Sequence, residues 1–534
     1  MGRDWTPYPE STAADYRRAG HWQGRTLGER FRECARRYPD ALAVVAGAAR
    51  LTYAELDNRC DRLANGLVAL GVTARDRVVV QLPNGVEFVE VLFALMRVGA
   101  TPVLVMPAYR RQELRALMQI AEPAAYVVPD HYGGFDFRTQ ARELCVDVGT
   151  VRHVVVAGEP AEFTPVRELY HGPEPRPDVD ADDLALCVMS GGTTGGPKLV
   201  PRTHENYAYL PNACAAAGLD RDDIYLAALP LAHNFPLACP GLLGTLTSGG
   251  TAVMSPTSSP DDAFPLIERA RVTWTTLVPS VVEFWTEATR WHRSDLSSLR
   301  LVQVGGSVFR PESARRATQR LDCGLQQVYG MAEGLLTMTA LDDPDDLVLT
   351  TQGRPPCPAD EVRLVDPDGV DVEAGGVGEL WTRGPYTVRG YFRAPESSAG
   401  SFTPDGLYRT GDLARRLPSG HLVIEGRLKD VINRGGDKIP CAELEGHLVA
   451  HPAISAAAAV PVPDSELGER VCVFLVCERP RSLREIRAFL QARGVASFKF
   501  PDRIEYVDRL PLTKIGKIDR KALMARIAGP AAGS

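Results

Sequence analysis

Apolar positions recur at helical spacing from residue 26 to 70, around a short strand-like run at 41–46. The stretch 76–104 repeats the order of strand and then helix. β-branched runs follow at 125–129, 151–157, 184–189, 251–254 and 301–304, each trailed by polar or glycine-rich turns and further helical pattern. Strands alternating with helices in this way predict a large, mainly parallel α/β domain. After about residue 350 the texture changes to closely spaced turns and short strands at 361–365, 378–383 and 421–424, which predicts a small β-rich subdomain at about 350–427. Beyond it, strand-like runs at 456–462 and 470–477 and the helical pattern of 482–493 predict a separate α+β domain of usual size. The expected organisation is a large N-terminal α/β domain, 1–427, a connector at 428–430 and a small C-terminal α+β domain, 431–534.

A chain of 534 residues exceeds the size at which one core keeps growing, in keeping with at least two domains. Lys and Arg number 60 against 67 Asp and Glu, a formal charge of −7, so no basic excess offers itself to nucleic acid or to an anionic membrane. The eleven cysteines form no CxxC pair or ligand-like spacing, which fits reduced thiols in a cytosolic compartment. The N-terminus lacks an apolar signal region and no apolar run is long enough to span a bilayer, so the expected location is the cytoplasm.

The strand-like run at 184–189 leads into Ser190-Gly191-Gly192-Thr193-Thr194-Gly195-Gly196-Pro197-Lys198. Four glycines allow close backbone approach to an anion, three hydroxyls add donors, and the lysine adds a positive charge, a combination suited to phosphate. It is not a Walker A loop, because Pro197 separates Gly196 from Lys198 and no Ser or Thr follows the lysine.

The loop resembles the signature of the adenylate-forming superfamily, which includes acyl-CoA synthetases and the adenylation domains of peptide synthetases. Tyr329-Gly330-Met331-Ala332-Glu333, Tyr408-Arg409-Thr410-Gly411-Asp412, Gly426-Arg427-Leu428-Lys429-Asp430 and Pro511-Leu512-Thr513-Lys514-Ile515-Gly516-Lys517 follow in that family's order. The resemblance implies ATP as co-substrate, with Ser190, Gly191, Thr193, Thr194 and Lys198 at its phosphates. Glu333 would bind Mg²⁺, a suitable role for a hard oxygen ligand. Gly305, Gly306, Tyr329, Gly330 and Met331 would frame the nucleotide, Asp412 would accept from the ribose hydroxyls, and Arg427 would join the nucleotide contacts. Lys517 would bridge the substrate carboxylate and the α-phosphate, and with Thr194 and Glu333 it makes up the expected catalytic set. Lys429 would be the hinge of a mobile C-terminal domain, and the loop Gly435-Gly436-Asp437-Lys438 would face the thiol donor.

The segment Leu231-Ala232-His233-Asn234-Phe235-Pro236-Leu237-Ala238-Cys239 is similar to that of stand-alone aryl-acid adenylation enzymes of siderophore pathways. In amino-acid-activating relatives an aspartate near Asn234 would pair with the substrate ammonium, and a neutral amide leaves that charge without a partner. Asn234 carries both donor and acceptor, suited to a carboxylate beside an ortho-hydroxyl. The resemblance places His233, Asn234, Phe235, Cys239, Ser307, Gly330 and Leu336 at the aryl acid. Dihydroxybenzoate enzymes generally carry serine where Cys239 stands and valine where Leu336 stands, so salicylate is the expected acid. The expected acceptor is the phosphopantetheine thiol of a separate aryl carrier protein. 2,3-Dihydroxybenzoate, 6-methylsalicylate and 3-hydroxyanthranilate remain open as substrates, and an aryl-CoA ligase or an inactive scaffold as alternative functions.

Overall fold

The computed structural model describes residues 3–174, 177–190, 197–207, 210–434, 437–464, 467–493, 495, 497–513 and 517–528, without the side chains of 429, 433, 437, 438, 468 and 498. The chain divides into two compact units, one of Met1–Val362 and Thr382–Arg409, the other of Arg363–Trp381 and Thr410–Ser534.

In the first unit an eight-stranded sheet runs in the order Leu336–Met338, Gly324–Gly330, Leu301–Gly305, Trp274–Leu277, Ile224–Ala227, Thr251–Met254, Leu42–Ala46, Ala49–Thr52. It is parallel except for the antiparallel strand at each edge. A seven-stranded sheet has the order Leu199–Thr203, Leu184–Met189, Thr101–Leu104, Arg77–Val80, Ala125–Pro129, His153–Ala157, Thr164–Pro165. The apolar runs at 125–129, 184–189 and 251–254 are strands over the ranges expected from sequence.

Helices fill the space against these sheets. Helix Val86–Val98 is apolar almost all round and correspondingly buried, ending at Gly99 in the left-handed region. Helix Tyr53–Ala69 starts on a capping box in which Thr52 accepts from the Glu55 amide and Glu55 accepts from that of Thr52.

The second unit carries the greater part of a four-stranded sheet, ordered Glu361–Val365, Val377–Arg383, Tyr408–Arg416, Leu422–Arg427. It also holds a five-stranded sheet in which Ile454–Asp464 and Gly468–Cys477 form a long antiparallel pair and Arg503–Tyr506 runs parallel to the latter. Helices Cys441–Val449 and Leu483–Ala492 bury Leu444, Leu448, Ile486 and Leu490 in a core with Val471, Val473 and Leu475. Residues 363–381 and 410–427 group here with the C-terminal part. Helix Cys441–Val449 packs on strand Leu422–Arg427, which ties that hairpin to the C-terminal stretch of chain.

Candidate active site

In the larger unit a pair of antiparallel strands holds the two ends of the glycine-rich segment 190–198. Strands Leu184–Met189 and Leu199–Thr203 pair antiparallel with Met189 opposite Leu199, and the Ser190 amide donates to the Lys198 carbonyl at 3.0 Å. Gly191, Thr193 and Thr194 lie outside the described residues. Lys198 leaves the hairpin with its Nζ 4.6 Å from the centre of the Tyr391 ring, a cation–π distance. Tyr391 in turn donates from its hydroxyl to Glu333 Oε1 at 2.9 Å. Burial pushes the Glu333 carboxyl above its ordinary value, and the hydroxyls of Tyr391 and Tyr408 pull it part of the way back. Lys198 and the buried Glu333 carboxyl are thus joined through one tyrosine. Among the described residues no group of three or more His, Cys, Asp or Glu could hold a metal ion. A single carboxylate supplemented by phosphate oxygens and water suits Mg²⁺, which seldom takes an all-protein cage.

A second cluster is built on the short helix Asn234–Ala238, which His233 caps through its Nδ1, accepting from the Phe235 amide at 3.3 Å. The ring of His233 is exposed, whereas Asn234, Phe235 and Cys239 are buried. Tyr207 donates to Asn234 Oδ1, which fixes the amide so that Nδ2 faces the Tyr386 hydroxyl at 3.2 Å and the Cys239 sulfur at 3.4 Å. Burial pushes the Cys239 thiol up to about 11, so it stays protonated and small rather than nucleophilic. Gly305 closes its strand against the Phe235 ring: a Cβ there would meet Val328 O at 2.7 Å and the ring at 3.2 Å. Gly306 follows at φ +90°, in the left-handed region that favours glycine, and Ser307 is exposed. Gly330 and Leu336 face each other across the pair of edge strands, so a Cβ on Gly330 would touch Leu336 at 3.4 Å. Tyr329 and Met331, half-buried, flank Gly330.

The smaller unit holds the remaining residues singled out from sequence. Asp412 and Arg427 lie opposite each other on paired strands and form an ion pair of 2.9 Å, with Asp412 only 5% exposed and Arg427 half exposed. The Thr513 amide donates to the Lys517 carbonyl at 2.7 Å, and the Lys517 amide donates to the Thr513 hydroxyl oxygen at 3.2 Å. Burial holds the Lys517 ammonium below the ordinary lysine range, Arg427 adding to the depression while Asp412 and Asp430 oppose it. Lys429 lies in the one-turn 3-10 helix Leu428–Asp430.

Tyr207, Tyr386 and Tyr391 had no signal in the sequence. Each reaches its polar partner across a long stretch of chain, as with the 152 residues between Asn234 and Tyr386, and no local spacing announces such a meeting.

Comparison with known proteins decides the family. The model of the AMP-binding enzymes matches residues 31–392, and that of the AMP-binding enzyme C-terminal domain matches residues 443–517. The chain belongs to the AMP-binding enzyme family. It is 49% identical over 531 residues to the 2,3-dihydroxybenzoate-AMP ligase of Bacillus subtilis, covering 99% of this chain and 98% of that protein. It is also 49% identical to a salicyl-AMP ligase / salicyl-S-ArCP synthetase of Mycobacterium tuberculosis, over 98% and 94% of the two chains. The apo structure of MbtA from Mycobacterium smegmatis superposes with a TM-score of 0.77 at 45% identity, covering 98% of this chain and 99% of that one. This AMP-binding enzyme therefore has the large and small α/β parts of that fold and is an adenylating enzyme that uses ATP. No helix among the described residues is long and apolar enough to cross a membrane.

Proposed function

We propose that this enzyme activates a 2-hydroxybenzoate-type aryl acid, salicylate first, as its aryl-AMP with release of pyrophosphate, and then passes the aryl group to the phosphopantetheine thiol of a separate aryl carrier protein. The observation that carries the reading is the wall of Asn234, Tyr207, Tyr386 and Cys239, whose side chains face one another through amide, hydroxyl and thiol groups. An ammonium held there would be buried without a counter-charge, which disfavours amino acids, while the amide can bond a carboxylate or an ortho-hydroxyl. The relatives named for salicylate and for 2,3-dihydroxybenzoate support an aryl acid of this kind.

In the reaction the acid's carboxylate oxygen attacks the α-phosphorus of ATP and pyrophosphate departs. Both partners are anionic, so charge neutralisation and alignment are the tasks that the protein must perform. Thr193, Thr194 and Lys198 hold the outer phosphates, and Ser190 and Gly191 shape the loop. Gly305, Gly306, Tyr329, Gly330 and Met331 frame the nucleotide, Asp412 accepts from the ribose hydroxyls and Arg427 adds a contact. Lys517 neutralises the carboxylate and α-phosphate oxygens as they meet. Glu333 is the residue that would hold Mg²⁺, whose contribution when bound is to neutralise phosphate charge. Phe235, Ser307 and Leu336 complete the acyl pocket, and Lys429 is the hinge of the connector 428–430.

The test is acid-dependent ATP–pyrophosphate exchange with salicylate, 6-methylsalicylate, 2,3-dihydroxybenzoate, 3-hydroxyanthranilate, benzoate and a panel of amino acids. Fast exchange with the 2-hydroxy acids and none with amino acids is expected; preference for an amino acid would overturn the reading. Product assays that offer coenzyme A or the loaded carrier as the thiol separate a CoA ligase from a carrier-loading enzyme. Cys239→Ser restores a hydroxyl at the pocket wall and is expected to raise the kcat/KM ratio of 2,3-dihydroxybenzoate to salicylate by about fivefold, one hydrogen bond's worth. An unchanged ratio would remove Cys239 from the specificity determinants. His233→Ala is expected to raise the acid's KM about threefold with the KM for ATP unmoved, in keeping with the small cost of losing one positioning contact; unchanged kinetics would place the exposed ring outside the acid's path.

A further inference from the structure

Arg202, on the strand Leu199–Thr203, is fully buried at 0% exposure. Its Nη1 donates to the Tyr386 carbonyl at 2.6 Å, but its Nε and Nη2 are buried without any hydrogen-bond partner. The guanidinium lies 3.9 Å from the centre of the Tyr386 ring and 4.8 Å from that of Tyr207, and these two rings stack on each other at 5.9 Å. The ionisable groups that dominate its surroundings are the phenols of Tyr386, Tyr207 and Tyr8, none of them an anion at neutral pH. Removing one partner of a buried ion pair is costly because a buried charge loses its counter-ion; here the guanidinium is covered by tyrosine rings, with the Glu333 carboxyl within electrostatic reach. The same tyrosines that cover Arg202 turn their hydroxyls to Asn234, and Tyr386 also reaches the Cys239 sulfur at 3.7 Å.

We propose that Arg202 sets the charge preference of the acyl pocket: through the Tyr386–Asn234–Cys239 wall its guanidinium favours ligands that bring negative charge, aryl carboxylates, and turns away ring systems that carry an ammonium. The inference rests on the assignment of that wall to the acyl pocket. A neutral Asn234 only withholds a counter-charge from an ammonium; a buried cation behind it repels one, and a field in a water-poor interior acts over several ångströms. The influence of Arg202 extends to the Cys239 thiol and to the buried Glu333 carboxyl, both of which it draws toward ionisation. Arg202 is thus a positioning residue that touches no reacting atom. A purely structural role, holding two tyrosines together, would instead affect ligands of every charge alike.

The experiment compares three ligands of one shape on the full-length enzyme by equilibrium binding at pH 7: salicylate (anion), 2-hydroxybenzyl alcohol (neutral) and 2-hydroxybenzylamine (cation). Wild type is expected to bind the anion at least about tenfold tighter than the alcohol, and the alcohol about tenfold tighter than the amine. Arg202→Met and Arg202→Gln, made in parallel so that the test does not depend on one neutral side chain packing, are expected to shrink each step to within about threefold. Arg202→Lys, which restores the charge, is expected to keep them. A neutral variant that melts cooperatively and retains the steps, or that weakens all three ligands equally, overturns the proposal. If neither neutral variant folds, the wild type decides: equal binding of amine and alcohol sinks the inference, and rejection of the amine supports it. Salicylate-dependent exchange, run on wild type alone, reports on the proposed reaction separately, so loss of that reading and loss of this one are told apart.

Discussion

Lys517→Ala is expected to lower ATP–pyrophosphate exchange by a factor on the order of 10²–10³ while leaving the melting temperature close to that of wild type. The size comes from removing one charged donor aimed where negative charge gathers in the transition state. The fold is expected to survive because burial already holds this ammonium below the ordinary lysine value of 10.5, so the charged side chain is under a desolvation penalty and contributes little to stability. The same depression gives a pH signature. The cation is present below its pKa and lost above it, so the alkaline fall in exchange should have its midpoint below pH 10.5, the pH at which an ordinary lysine is half charged. Lys517→Arg, charged across the whole range, should remove that limb from whatever activity it retains. A Lys517→Ala enzyme that exchanges within about threefold of wild type would show that the lysine is a buried bystander.

Glu333→Gln is expected to lose exchange by on the order of 10²-fold and yet to gain stability, a pairing that neither a scaffold residue nor a surface carboxylate would give. Burial raises the Glu333 carboxyl above its ordinary 4.5. Well below pH 4.5 the folded and unfolded chains both hold the proton and the group costs nothing. As pH rises from there through the raised value, the unfolded chain ionises first, so the folded state is progressively penalised, and the penalty is complete above the folded pKa. Glutamine removes the ionisation and keeps an oxygen for the Tyr391 hydroxyl. The melting temperature at pH 7.5 should therefore rise by roughly 2 °C, the difference fading as pH is lowered toward 4. Melting curves at several pH values, with exchange measured on the same preparations, check both halves. Lower stability at pH 7.5 would mean that the carboxylate is a structural partner, and full activity would remove it from the phosphate site.

The order of strands and helices along the first 350 residues could be read from the sequence because apolar runs of four to six residues bounded by turns have one economical place in an α/β layer. The long strands of the C-terminal part are likewise legible, at 456–462 and 470–477 against the observed Ile454–Asp464 and Gly468–Cys477. The family was legible for the same kind of reason: the glycines, hydroxyls and Lys198 of one loop are contiguous, and the segment 231–239 carries the neutral Asn234 and Cys239 within a few residues of each other. Whatever contiguity supplies, the sequence determined by itself. Whatever depends on side chains far apart in the chain, only the tertiary structure decided. Tyr207 and Tyr386 became the partners of Asn234, Tyr391 linked Lys198 to Glu333, and Arg202, one basic residue among 60, proved to be a buried charge with two unsatisfied nitrogens. Residues 410–427 grouped with the C-terminal unit through the helix Cys441–Val449 packed on them, a contact without a local signature. Hydrophobic periodicity records which face of an element is buried, but the identity of its packing partner is fixed only when the elements come together.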